Sequence, residues 1–267
     1  MSQGKGEDSP VRISSGEIRN DGWLTHTVQS PYQKGQTKIH VLLPKEVDDA
    51  RTYPVLYLLP VEPLDQTRWG DAMTEAVRAD LANKHNVICV YATFSHLPWY
   101  ADHPSDPHLR QETYFLKVVV PFVEKEYPAI PKREGRFLAG FSKSGWGAWS
   151  LLLRHPDLFE KAAAWDAPLM EAAPKKYGMG PIFGSDENFQ KYQITQLVEQ
   201  RAKELEDRPR LVLTGYDGSF RRQHQQMHAL LEKLGVPHIY RDGPQRRHHW
   251  ESGWLGEAVE LMHANEE

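Results

Sequence analysis

Ser142 stands in the stretch Arg136-Phe137-Leu138-Ala139-Gly140-Phe141-Ser142-Lys143-Ser144-Gly145-Trp146-Gly147. An apolar run leads into a small residue, then a serine, then another small residue and a helix-compatible segment. That order reads as a nucleophile elbow, in which a buried strand turns sharply into a helix beneath the serine. The turn is crowded, so the residues two before and two after the serine must be small. Gly140 fits, and Ser144 is a modest departure with Gly145 behind it. A serine hydroxyl is a weak nucleophile until a base takes its proton. The elbow also turns backbone N–H groups, that of Lys143 first, toward the place where an oxyanion would form.

Such a serine needs a histidine base and an acid that orients the histidine. In a parallel sheet both are expected just past the C-terminal ends of later strands. Past the apolar run 211–214 comes Gly215-Tyr216-Asp217-Gly218, and past 238–241 comes a loop ending in His248-His249-Trp250. The chain order is then serine, acid, histidine. Asp217 is the expected acid, although an aspartate before glycine is also an ordinary turn signal. Asp166, after Ala162-Ala163-Ala164-Trp165, is the rival acid, one strand earlier. Either His248 or His249 could be the base, since adjacent side chains cannot both face Ser142.

The elements that must hold these residues are legible as alternating periods. Strand-like runs fall at 24–29, 37–43, 55–59, 87–93, 135–139, 162–165, 210–214 and 238–241. Helix-like segments at 70–85, 108–127, 145–154, 220–234 and 251–264 lie after the third strand. The alternation predicts an α/β chain with one mostly parallel sheet and helices on both faces. The first strands lack intervening helices, so an antiparallel start is expected. Pro121 should bend or split its helix. Residues 168–209, rich in proline and glycine and followed by a polar helical stretch, read as an insertion that covers or decorates the site. We expect a loose tail over 1–10 and one domain over 11–267.

The chain has 267 residues, 40% apolar and 25% charged, with a net charge of −4. That length can bury a large core, and the charge carries no nucleic-acid footprint. The single cysteine, Cys89, excludes an internal disulfide and sits in a strand-like run. No run approaches a membrane span in length, and the polar first ten residues lack the apolar core of a secretory signal. A cytoplasmic location, with no membrane and no nucleic-acid partner, is the expectation. The loop from Phe94 to Pro104 carries Trp99 and Tyr100, which could wall a substrate site or anchor the loop. His96, Asp102, His103 and His108 have no familiar zinc spacing, so no metal and no cofactor are expected. Arg221, Arg222, Arg246 and Arg247 flank the acid and base segments and read mainly as solvated surface.

The segments Gly140 to Ala148, Arg154-His155-Pro156-Asp157-Leu158-Phe159, Pro54 to Leu59 and Val120 to Pro128 resemble the "Putative esterase" family. That family takes in esterase D-like enzymes, feruloyl and acetyl-xylan esterases, enterochelin esterases and mycolyltransferases. The resemblance runs from about Lys38 to Trp254 and implies an α/β-hydrolase fold. It implies a serine carboxylic-ester hydrolase acting on a small-molecule ester through Ser142, Asp217 and His248. His248 is favoured over His249 because the family histidine has a tryptophan two residues later, here Trp250, which also becomes a candidate substrate contact. The chain departs from the family pattern at Leu59-Pro60-Val61-Glu62-Pro63, where the family has His-Gly and further glycines. Proline has no N–H, so Val61 or Glu62 would supply the second oxyanion donor beside Lys143. The Glu62 carboxylate would need a cation, and Arg68 is the candidate. Acyl transfer to an alcohol, and a non-catalytic binding protein on the same scaffold, are the alternatives.

Overall fold

The computed structural model describes residues 10–48 and 50–264. The tail expected over 1–10 lies, Pro10 apart, outside the described residues. Ten strands form one sheet: β1 (Arg12–Ile13), β2 (Glu17–Ile18), β3 (Leu24–Gln29), β4 (Gln36–Leu42), β5 (Val55–Leu59), β6 (Ile88–Ala92), β7 (Arg136–Phe141), β8 (Lys161–Trp165), β9 (Leu211–Tyr216) and β10 (His238–Gln245). Their spatial order is β1-β3-β4-β6-β5-β7-β8-β9-β10, with β2 added beside β3. From β6 to β10 every pairing is parallel, and β1 to β4 pair antiparallel. The antiparallel start expected from the missing helices is present, and the two shortest strands are additions that no periodic pattern announced.

The strands between β6 and β9 are buried on both faces, which is why they read as unbroken apolar runs. Alternate side chains go to opposite layers. Val55, Tyr57 and Leu59 enter one core, and Leu56 and Leu58 the other. Ala162 and Ala164 join the first, Ala163 and Trp165 the second. The second layer holds α1 (Ala72–Arg78) and α2 (Leu81–Lys84), with α10 (Trp254–His263). The first layer holds α3 (Gln111–Tyr114), α4 (Val120–Glu126), α5 (Lys143–Arg154) and α9 (Arg221–Leu234). Between α3 and α4, Phe115–Val119 is a π-helical turn, and Pro121 follows it in the first turn of α4. The chain absorbs the proline by changing hydrogen-bond spacing there, so the expected single helix becomes three short ones.

The segment 168–209 forms α6 (Gly180–Phe183), α7 (Asp186–Gln190) and α8 (Ile194–Arg201). Ser185 caps α7 by accepting from the Asn188 N–H. Met179, Phe183, Phe189, Ile194 and Val198 are buried in the first core, so this segment is part of the packed body. It is fastened by Glu112. The Glu112 carboxylate accepts from Arg154 Nε at 2.8 Å and Nη2 at 3.0 Å, from His155 Nε2 at 2.7 Å and from the Tyr192 hydroxyl at 3.0 Å. One buried acid thus joins α3, the end of α5 and the segment after α7. Burial opposes its charge, but the bonds from His155 and Arg154 outweigh burial and hold its pKa down at about 2.

A carboxylate held below its unfolded value stabilises the fold above the unfolded pKa, and that stability is lost as pH falls toward the folded value. Ionised Glu112 should contribute on the order of 3 kcal/mol at neutral pH. Urea unfolding of Glu112→Gln is expected to show a deficit at pH 7 that shrinks steadily below pH 4.5. A deficit that stays constant with pH would mean that the variant loses shape complementarity alone.

Candidate active site

Ser142 sits between β7 and α5 at φ 55° and ψ −125°, a conformation that few side chains adopt. Its N–H donates to Trp165 O at 3.1 Å, so the turn is bonded to the neighbouring strand β8. The crowding expected from the sequence is real. A Cβ on Gly140 would lie 2.1 Å from Ser144 O, and one on Gly145 would lie 2.8 Å from the Ala167 Cβ. Ser144 fits the tight position because its hydroxyl stays local, donating to Phe141 O at 2.9 Å and lying 3.0 Å from Phe141 N.

His248 reaches this site from the loop after β10. Its Nδ1 donates to Asp166 Oδ2 at 2.5 Å. Its ring is wedged between Phe141, with centroids 4.5 Å apart, and Trp69, edge-on at 5.0 Å. A carboxylate has no proton to give at neutral pH, so Nδ1 carries the hydrogen, and in the neutral imidazole the lone pair is on Nε2. Asp166 is fully buried and leaves β8 in the left-handed region, at φ 41°. Burial pushes its carboxyl above the ordinary value, while the bond and charge of His248 pull it back.

The hydrogen bond that the sequence pointed to for Asp217 is therefore made by its rival, Asp166. Asp217 Oδ1 instead accepts from the Ser219 N–H at 2.7 Å, the turn bond that an Asp-Gly sequence announces. Asp217 still lines the cavity, and ligand atoms of Asp166, Asp217 and His248 lie within 4.8 Å of one another. His249 does not line the cavity. Its Nδ1 accepts from the Glu251 N–H at 3.3 Å, and its ring lies over Gly70.

A cavity of about 570 Å³ is lined by Ser142, His248, Lys143, Glu62, Arg68 and Asp217 on its polar side. Its apolar wall is Trp69, Leu97, Tyr177 and Phe220. Tyr177 belongs to the 168–209 segment and packs edge-on against Phe220 at 5.6 Å, so that segment covers the site rather than decorating the surface. Trp69 and Tyr177 were missed in the sequence because lone aromatics in irregular segments carry no period, and Phe220 because it stands at the cap of a helix-like run.

Trp99, Tyr100 and Trp250, the expected substrate contacts, are all buried away from the cavity. Trp99 packs edge-on against Trp146 at 5.9 Å, and Trp250 fills the core beside Phe141 and Trp165. Tyr100 is a strut. A Cβ on Gly147 would lie 2.0 Å from its ring, and its hydroxyl donates to Pro60 O at 2.7 Å. This bond anchors the loop after β5. Because Leu59 pairs with Gly140 in the sheet, the same loop leaves β5 alongside the elbow. Glu62 lies in the cavity wall and Val61 is buried in the second core. The cation facing Glu62 is Lys143, at 3.4 Å, and not Arg68, which lies over the Trp69 ring at 5.0 Å. Burial pushes the Lys143 ammonium below its ordinary value, and Glu62 pulls it back.

The strand order and the elbow are those of the α/β-hydrolase fold. The model of the family described as "Putative esterase" matches residues 30–241, and the chain belongs to that family. Esterase Rv1288 of Mycobacterium tuberculosis is 31% identical over 135 residues, which are 49% of this chain and 29% of that protein. The match thus spans less than a third of that relative's length. Among solved structures, FphF, a fluorophosphonate-binding serine hydrolase of Staphylococcus aureus, superposes with a TM-score of 0.72 at 19% identity, covering 94% of this chain and 100% of its own. A ferulic acid esterase superposes with a TM-score of 0.68 at 25% identity, covering 94% of this chain and 96% of its own. No helix among the described residues is long and apolar enough to cross a membrane.

The elbow's packing can be tested without any substrate. Gly140→Ala should cost about 3 kcal/mol or more, because the new methyl meets backbone that cannot yield. Gly256→Ala, in α10, meets nothing nearer than 3.8 Å and should stabilise by up to about 1 kcal/mol. Chemical denaturation of the two variants beside the parent measures both. Equal effects would contradict the close approach of β7 and α5.

Proposed function

We propose that the protein is a serine carboxylic-ester hydrolase working through Ser142, His248 and Asp166. The observation that carries this reading is the shared cavity. A serine on a strained strand-to-helix turn and a histidine whose Nδ1 is held by a buried carboxylate open onto the same space. His248 Nε2, left as an acceptor, takes the Ser142 proton as Oγ attacks the ester carbonyl carbon. The carbonyl π electrons move to oxygen and form a tetrahedral oxyanion. The imidazolium then gives its proton to the departing alkoxide, the C–O bond breaks and the acyl group stays on Ser142. Water, deprotonated by the same histidine, releases the acid.

The Lys143 N–H, at the start of α5, and an N–H of Val61 or Glu62 are the proposed oxyanion donors. The ion pair between Glu62 and Lys143 supports this, because it neutralises the carboxylate next to the forming charge. The aromatic and aliphatic wall of Trp69, Leu97, Tyr177 and Phe220 suits a small apolar or aromatic acyl group. Asp217, in the outer wall, is assigned no proton-transfer role.

Labelling by a fluorophosphonate probe tests the nucleophile and base. The parent should label, Ser142→Ala should not, and His248→Ala should label at least about a hundredfold more slowly. His249→Ala should match the parent. Labelling that survives in Ser142→Ala, or a folded parent that does not label, would overturn the proposal.

A further inference from the structure

Away from the cavity, His228, Glu232 and His238 come together where α9 meets the edge strand β10. Their ligand atoms all lie within 4.8 Å of one another. The chain builds this meeting deliberately in the local sense. His228 and Glu232 are one helical turn apart, so they share a face of α9. Gly235, at φ 68°, ends the helix in the left-handed region that glycine tolerates, and the chain reverses at once. His238, the first residue of β10, is thereby returned to the same face.

The His238 imidazole is already oriented as a ligand. His238 Nδ1 lies 2.8 Å from Val236 O, and a carbonyl can only accept, so Nδ1 carries the proton. That bond fixes the tautomer and leaves Nε2 as a lone pair, the arrangement found when a backbone carbonyl orients a metal-binding histidine. Nε2 accepts a hydrogen bond from His228 Nδ1 at 2.7 Å, and a metal ion bound by both nitrogens would displace that one proton. The His228 ring is held by stacking on Tyr240, with centroids 4.2 Å apart and planes 21° from parallel. Glu232 is exposed and supplies an anionic oxygen at the rim.

We infer that His228, Glu232 and His238 form a binding site for a borderline transition-metal dication of the zinc class. Two imidazole nitrogens and one carboxylate oxygen suit zinc, nickel or copper and disfavour magnesium and calcium, which take all-oxygen shells. Three protein ligands at a partly exposed position leave a place for water. The ion would clip the start of β10 to α9. β10 is the sheet's last strand, joined only to β9 among the described residues, and it leads into the loop that carries His248. The site's role is therefore to secure that edge, at a distance from the proposed chemistry.

Zinc titration by calorimetry, with thermal unfolding in parallel, tests this. The parent and His248→Ala should each bind zinc at this site, and the melting temperature should rise by about 5 °C or more at a hundredfold excess over the dissociation constant. His248→Ala is included because Asp166, Asp217 and His248 could bind zinc themselves. His238→Ala should lose the binding and the shift, and magnesium should produce neither. Should His238→Ala fail to match the parent's circular dichroism in chelator, exposed Glu232→Gln serves instead, with binding weakened at least about tenfold. No zinc binding by the parent, or binding that disappears in His248→Ala while surviving in His238→Ala or Glu232→Gln, would overturn the inference.

Discussion

The short hydrogen bond between His248 Nδ1 and Asp166 Oδ2 is the interaction that orders the site. A fully buried carboxylate is expensive to ionise, and a donor at 2.5 Å offsets that cost. The fold supplies the burial. Asp166 follows β8, its N–H donates to Gly215 O on β9, and the next amide, of Ala167, donates to His224 Nε2 from α9. With the acid immobile, the imidazole can sit in one orientation only, between Phe141 and Trp69. The tautomer and aim of Nε2 follow from that placement.

Ser142 is fixed by a different constraint, the close approach of β7 to the first turn of α5. Gly140 permits it, and Ser144 uses its hydroxyl to bond Phe141 where the family pattern has glycine. The loop after β5 is held by Tyr100, whose ring rests on Gly147 and whose hydroxyl holds Pro60 O. The two prolines of this loop supply rigidity where the family pattern supplies glycine. The ion pair of Lys143 with Glu62 belongs to the same solution, because an unpaired carboxylate there would oppose an oxyanion. Elbow, loop and histidine thus rest on separate supports that converge on one cavity.

Much of this was legible in the chain. Strands buried on both faces show as unbroken apolar runs, and β3 and β5 fell where the runs did. Ser142 was legible because a crowded turn demands small neighbours at fixed offsets. The acid was harder. Asp166 and Asp217 each follow a strand, and the outcome depended on a left-handed backbone at Asp166 and a turn bond at Asp217, neither of which has a period. Trp99 and Tyr100 were open to two readings, and the glycine at 147, inside a helix, was the clue that an aromatic ring rests there. Trp69, Tyr177 and Phe220 meet only through tertiary folding.

The central claim is that Asp166, and not Asp217, orients the histidine. It is tested by comparing hydrolysis of a short-chain p-nitrophenyl ester by Asp166→Asn and Asp217→Asn. Both changes keep side-chain size, so each variant should fold. The account predicts that kcat/KM falls roughly a thousandfold or more in Asp166→Asn, because an amide can donate to Nδ1 and reverse the tautomer, while Asp217→Asn stays within about tenfold of the parent. A collapse of activity in Asp217→Asn with Asp166→Asn nearly intact would contradict it.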